Sequence, residues 1–286
     1  MPRFDSAAGR YLYLSIDGVE YRVYFEESGA GIPMLLQHTA GADGRQWRHL
    51  LEDAEFRRDF RMIAYDLPYH GKSVPPTGIE WWRSEYRLTK DFLMKFVVTL
   101  ASELALERPV YMGSSIGGHL ATDLALHHGG NFRAIIGLEA AIATPGGFDD
   151  RFNHPRISNE FKASAMYGLM SPTSPENLRR ETAWVYSQGA PPVFKGDLYY
   201  YSIDHDLSRT AEQIDARSTA LYLMTGEYDW ASTPEMSAQL AARIQGASYQ
   251  TMTGLGHFPM SEDPARFREY IALVLREIRD RSRAAA

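Results

Sequence analysis

The chain has 286 residues, 44% hydrophobic and 23% charged, with a formal net charge of -6 and no cysteine. That length suits one α/β core with room for an insertion. The acidic balance gives no electrostatic footprint for nucleic acid, and the missing thiols exclude disulfides, thiolate nucleophiles and cysteine-ligated metals. No run approaches the roughly 18 apolar residues that a membrane span needs. The polar start MPRFDSAAGR lacks the apolar stretch of a signal peptide, so a cytoplasmic location without a membrane partner is the expectation.

In chain order, Tyr11–Ile16 and Glu20–Ser28 read as strands joined by the hairpin signal DGV. Pro33–His38 is a nearly continuous apolar run, suited to a strand buried on both faces. A short amphipathic stretch around Trp47–Phe56 precedes the strand Phe60–Asp66. Phe92, Phe96, Leu100 and Leu104 then recur every fourth residue and predict one buried helical stripe within Leu88–Leu104. Pro109–Gly113 reads as a strand, IGGHLATDLALHH as the helix that follows it, and Phe132–Ala140 as a further strand. This alternation predicts a mostly parallel sheet covered on both faces.

The rhythm breaks from Ile142 to Arg209, an irregular, Pro- and Gly-punctuated tract with helical stretches near Ser158–Gly168 and Glu176–Gln188. It resumes with strands Thr219–Gly226 and Ala247–Met252 and helices Pro234–Ile244 and Asp263 to about Asp280. The expected organisation is a core of residues 1–141 and 213–286, with a mainly helical insertion at 142–212.

The chemistry centres on Gly113-Ser114-Ser115-Ile116-Gly117, a Gly-x-Ser-x-Gly elbow between an apolar strand and a helix. Small residues allow the sharp turn, and the helix start adds a positive end. Ser115 is central; Ser114 lacks glycines in register and reads as a spacer. A Gly-x-Gly-x-x-Gly fingerprint and a Walker loop are both absent. A serine at its ordinary pKa needs a base. His257, on a glycine-flanked loop after the last strand, is the candidate, and Asp229, just past the preceding strand, is the orienting acid. Glu227 is its local rival, and Glu139, at an apolar strand end, is an alternative acid or a substrate contact. The oxyanion donors are the backbone N–H of Ile116 and of Ala40, with Thr39 next. His127 and His128 are adjacent and make a poor chelating pair; no metal and no organic cofactor is expected.

With HTAGADGRQW, YDLPYHGKS, GSSIGG, GEYDW and GHFPMSEDP in order, the chain resembles the α/β-hydrolase superfamily, especially its capped esterases, lactonases and carbon–carbon bond hydrolases. The resemblance covers nearly the whole chain. It implies an eight-stranded, mostly parallel sheet flanked by helices, with a cap inserted after the sixth strand. It also implies Ser115 as nucleophile, Asp229 as acid and His257 as base, with Asp66 and Ser73 in a loop that organises the site. A serine at the elbow argues against the branches of the superfamily that use an aspartate there. Departures lie at Thr39, Ser114 and Tyr69, where the superfamily more often has glycine, histidine and glycine; none removes a reacting group.

These residues predict a serine hydrolase that cleaves a carboxylic ester or lactone of a moderately hydrophobic, even aromatic, small molecule through an acyl-enzyme. The alternatives are a carbon–carbon hydrolase, with Arg83, Arg180 or Lys195 holding a substrate carboxylate, and then a perhydrolase or thioesterase. Pocket candidates are Trp184, Tyr186, Phe194, Tyr200 and Trp230. His38 joins them, though it reads first as a loop organiser. The cap aromatics suit a homo-oligomer surface as well as a pocket wall.

Overall fold

The computed structural model describes residues 2–284. Strands β1 (Ala8–Ile16) and β2 (Val19–Ser28) form an antiparallel hairpin. Its two-residue turn, Asp17–Gly18, has both residues in the left-handed region (φ 50° and 79°), the geometry that matches strand twist. β3 (Ile32–Gln37) leads through two short turns, α1 (Arg48–Leu51) and α2 (Phe56–Asp59), to β4 (Phe60–Tyr65). Then follow α3 (Lys90–Glu103), β5 (Val110–Ser114), α4 (Ile116–His128) and β6 (Ala134–Leu138).

The eight strands are ordered β1-β2-β4-β3-β5-β6 and then β7 (Ala220–Gly226) and β8 (Ser248–Met252). β2 is antiparallel to both neighbours, and every pairing from β4 onward is parallel. Every residue of β5 and β6 is buried, as the continuous apolar runs predict. Alternation splits the core in two. Leu35, Tyr111 and Ile135 face α3 and α4, while Met34, Met112 and Ile136 face the closing helix.

The terminal elements are α8 (Pro234–Arg243) and, after a short turn α9 (Pro259–Glu262), the closing helix α10 (Pro264–Ala284). In α10 Phe267, Ile271, Val274, Leu275 and Ile278 are buried, the stripe that a 3.6-residue turn dictates. In α3 the buried set is Leu93, Phe96, Val97 and Leu100, which corrects the every-fourth-residue stripe. Four residues turn the helix about 400°, so that row drifts off the core face within two turns.

Between β6 and β7 lie α5 (Glu160–Tyr167), α6 (Glu176–Gln188) and α7 (Pro191–Tyr199), where α7 replaces the irregular tract expected there. α7 runs straight into a π-helical turn, Tyr200–Asp204, closed by the His205 N–H on the Tyr200 carbonyl (2.9 Å). Two histidine–aspartate pairs are among the buried polar ties that fasten this segment to the core. Asp197 accepts from His70 Nε2 (2.7 Å). His205 Nδ1 donates to Asp123 (2.9 Å), which also accepts from Tyr200 (2.7 Å). All of these side chains are buried.

Candidate active site

The elbow joins β5 to α4 at Ser115, whose backbone (φ 59°, ψ -112°) lies where L-residues pay a steric cost. Close packing holds it there. A Cβ on Gly118 would stand 1.9 Å from the Leu138 carbonyl oxygen, so only glycine lets α4 lie this near β6. The Ser115 N–H donates to that same carbonyl (3.0 Å). Ser115 lines a cavity of about 230 Å³, whereas Ser114 is fully buried with its hydroxyl unpartnered among the described residues.

His257 lines the same cavity from the loop between β8 and α9. Its backbone N–H donates to the Leu169 carbonyl (3.1 Å), and its Nδ1 lies 2.7 Å from Asp229 Oδ2. Asp229 sits in the turn after β7, where its other oxygen accepts from the N–H groups of Ala231 (2.8 Å) and Ser232 (3.1 Å). With both oxygens engaged, it fixes the imidazole so that Nδ1 carries hydrogen and Nε2 is the free nitrogen. Glu227 does different work, accepting from the Gly254 N–H (2.8 Å) to join the loops after β7 and β8.

Glu139 follows β6 with φ 60° and is fully buried. The Gly226 N–H donates to its carboxyl group (3.1 Å), and its oxygens lie within 4.8 Å of Asp229 and His257. Burial, and then the Asp229 charge, push the Glu139 carboxyl well above the usual range, which favours its neutral form. It is not among the residues that line the cavity. Glu139, Asp229 and His257 are the one cation-sized donor group among the described residues. A metal would have to displace the hydrogen bonds just named.

The backbone donors are arranged one residue at a time. The Thr39 N–H and Oγ1 both donate to Gln46 Oε1 (3.0 Å each), and the Gly41 N–H donates to Asp197 (2.7 Å). The N–H groups of Ala40 and Ile116 have no protein acceptor among the described residues. Ala40 lines the cavity beside Ser115.

The cavity wall is mostly apolar, with Met166, Leu169, Phe194, Leu198, Tyr201 and Trp230 prominent. Tyr186 lines it too, and its hydroxyl meets Thr39 Oγ1. Three residues expected at the pocket lie elsewhere. Trp184 is 57% exposed, facing Arg45 on the outer face of α6. Tyr200 is turned into the core onto Asp123, and its neighbour Tyr201 takes the wall position. The π turn shifts the phase of the helix there, which an α-helical spacing does not anticipate. His38 is fully buried; its Nδ1 donates to the Thr39 carbonyl (2.8 Å) and its Nε2 accepts from the Leu67 N–H (3.1 Å). Burial, then the His70 charge, lower its pKa to about 4, so it is a neutral organiser of the loop.

Asp66 accepts from the N–H groups of Gly44 and Lys72 (2.8 Å each), and Ser73 Oγ donates to the Asp66 carbonyl (2.8 Å), tying together the loops after β3 and β4. Arg83, Arg180 and Lys195 stay outside the cavity, paired with Glu80, Glu176 and Glu85. Arg151 is the one Arg or Lys lining it among the described residues, and Asp149 pairs with that guanidinium.

Sequence reasoning passed over Glu262, which is fully buried behind His257. It accepts from the N–H groups of Gly256 (2.5 Å) and Ser171 (3.2 Å) and from Ser174 Oγ (3.2 Å). Burial outweighs these bonds and pushes its pKa from 4.5 up to about 7. The native protein therefore keeps a proton that the unfolded chain has released, so this contribution is complete below 4.5 and lost as pH rises through 7. Glu262→Gln has no such proton. Its Tm should fall by a few degrees less than that of the wild type between about pH 5 and about pH 8. Equal falls in a calorimetric comparison would contradict this.

This sheet order, with a serine at the strand–helix elbow, defines one class of hydrolase fold. The chain belongs to the Alpha/beta hydrolase family, whose sequence profile matches residues 34–270. It is 30% identical over 129 residues to the 2-hydroxy-6-oxononadienedioate/2-hydroxy-6-oxononatrienedioate hydrolase of Burkholderia vietnamiensis, covering 43% of this chain and 42% of that one. It is 23% identical to rat bifunctional epoxide hydrolase 2, over 87% of this chain and 52% of the relative. These matches span about half or less of each relative's length. Among solved structures, a thermophilic esterase from Thermogutta terrifontis superposes with a TM-score of 0.81 at 19% identity, over 94% of this chain and 99% of that one. The enol-lactonase from Burkholderia xenovorans LB400 gives 0.75 at 19% identity, over 91% and 98%. Among the described residues no helix is long and apolar enough to cross a membrane.

Proposed function

We propose that the protein is a serine hydrolase that cleaves a neutral, compact ester or lactone through an acyl-enzyme. The observation that carries this reading is the convergence on one apolar cavity of Ser115, His257 paired with Asp229, and the unused N–H of Ala40. Ser115 Oγ attacks the substrate carbonyl carbon as His257 Nε2 takes its proton. The carbonyl oxygen becomes an oxyanion held by the N–H groups of Ile116 and Ala40. Collapse breaks the bond to the leaving oxygen, which receives the proton from His257. A water then gives its proton to His257 and its oxygen to the acyl carbon, and Ser115 is released reprotonated. Residues 142–212 act as the cap that closes the cavity.

The wall chemistry favours an uncharged acyl group. A dioate, as in the name of the Burkholderia vietnamiensis relative, would bring carboxylates to a cavity whose one Arg side chain is already paired. Burying such an anion unpaired costs several kcal/mol. Epoxide opening is not carried over from the rat relative, because the elbow carries Ser115. A panel of 4-nitrophenyl esters, aryl esters, lactones and a ring-cleavage diketone acid, followed by mass spectrometry, tests the reading. Short and aromatic neutral esters or lactones should be turned over, with kcat/KM falling at least about tenfold for acyl chains too long for the cavity. Turnover confined to the diketone acid would overturn it.

A further inference from the structure

We infer that Asp197, supplied by α7, is a positioning residue that aims the Ala40 N–H at the oxyanion; this deepens the serine-hydrolase reading and rests on it. In a trans peptide the carbonyl of Thr39 and the N–H of Ala40 share a plane and point in opposite directions. The Thr39 carbonyl is held by His38 Nδ1 (2.8 Å) and by the Ala42 N–H (3.3 Å), so the Ala40 N–H is turned the other way. That plane stays put only if its neighbours do. Gln46 of the core fixes the plane before it, through the Thr39 N–H (3.0 Å). Asp197 fixes the plane after it, through the Gly41 N–H (2.7 Å).

Asp197 is itself held rigidly. It is fully buried, and besides Gly41 it accepts from His70 Nε2 (2.7 Å) and the Tyr86 hydroxyl (3.1 Å). A lone carboxylate here would oppose a developing negative charge nearby. His70 offsets it. Burial disfavours the charged imidazole, but the Asp197 charge and hydrogen bond, with the Pro68 carbonyl, outweigh burial and raise the His70 pKa. The segment that closes the cavity thus also completes the donor set, and a core without it would leave the 39–41 turn pinned at one end only.

The experiment compares Asp197→Asn with wild type for ester turnover, for affinity towards an alkyl boronic acid that adds to Ser115, and for affinity towards benzyl alcohol as a cavity ligand. Labelling of Ser115 by a fluorophosphonate is measured in parallel. We expect kcat to fall about 10- to 100-fold, somewhat less than loss of an entire oxyanion donor. Boronate affinity should fall by the same factor, while KM and benzyl alcohol affinity stay within about threefold. Unchanged kcat and boronate affinity would overturn the assignment, as would equal losses of boronate and benzyl alcohol affinity, the mark of a purely structural role. Should the variant not fold, backbone amide NMR of the wild type decides. The Gly41 amide should be protected from exchange in the free protein, and the Ala40 amide should shift downfield when the boronate binds; an unmoved Ala40 signal overturns the inference. If Ser115 of the wild type is not labelled, the hydrolase reading fails and this inference goes with it.

Discussion

Ser115→Ala should leave a folded protein whose ester turnover is lower by about 10⁴- to 10⁶-fold. Serine and alanine each carry a Cβ, so both pay the same backbone cost at φ 59°, and Tm should move little. The acyl-enzyme burst and fluorophosphonate labelling should both vanish, because the other elbow hydroxyl, on Ser114, is fully buried and does not line the cavity. Ser114→Ala is the matched control. Its hydroxyl is buried without a partner, so its removal should leave kcat unchanged and stability equal or greater by up to about 1 kcal/mol. Rapid-quench kinetics on the two variants decides the question, and a burst that survives in Ser115→Ala would discard the proposed nucleophile.

The second large effect separates the two buried acids. Asp229→Asn should lower kcat by about 10³- to 10⁴-fold, since an amide beside Nδ1 no longer stabilises the imidazolium or holds the right tautomer. Glu139→Gln should cost less than about threefold. Burial and the neighbouring Asp229 charge raise the Glu139 pKa and so favour its neutral form, and glutamine has nearly the shape of that neutral acid. Its amide can donate towards Asp229 while its carbonyl accepts from the Gly226 N–H. Glu139→Ala is a different case, because it opens a cavity and leaves that N–H unpaired, at about 2–4 kcal/mol of stability. If Glu139→Gln lost as much turnover as Asp229→Asn, the roles of the two carboxylates would have to be exchanged.

The centre of the parallel sheet was legible because its strands are largely or wholly buried. Pro33–His38 and Pro109–Gly113 read as strands from apolar continuity alone, and their observed ends lie within a residue of that reading. The site loops were legible because each follows a strand at the carboxyl edge of the sheet, which places Ser115, Asp229 and His257 on one rim before any coordinates are known. What escaped was whatever depends on the phase of a helix outside the sheet. Pro191 and Pro192 look like breakers, but they occupy the first turn of α7, where a missing N–H costs nothing. The π turn after it then rotates Tyr200 inward and Tyr201 onto the wall. Asp197, His70 and Glu262 escaped because a buried polar residue declares itself only through its partners, and theirs come from distant parts of the chain. The one local sign was an aspartate enclosed by apolar and aromatic residues in KGDLYYY.

The two histidine–aspartate ties between core and inserted segment are crossed. The core supplies an imidazole at His70 and a carboxylate at Asp123, and the segment answers with a carboxylate at Asp197 and an imidazole at His205. The two pieces are therefore not freely exchangeable during evolution or engineering. A segment grafted from a relative that lacks Asp197 or His205 would leave His70 or Asp123 of the core buried without that partner, at several kcal/mol for the carboxylate. Compensation has to come in pairs. Diversification of this protein is thus expected to proceed through the apolar wall residues, with the four crossed residues inherited as one block.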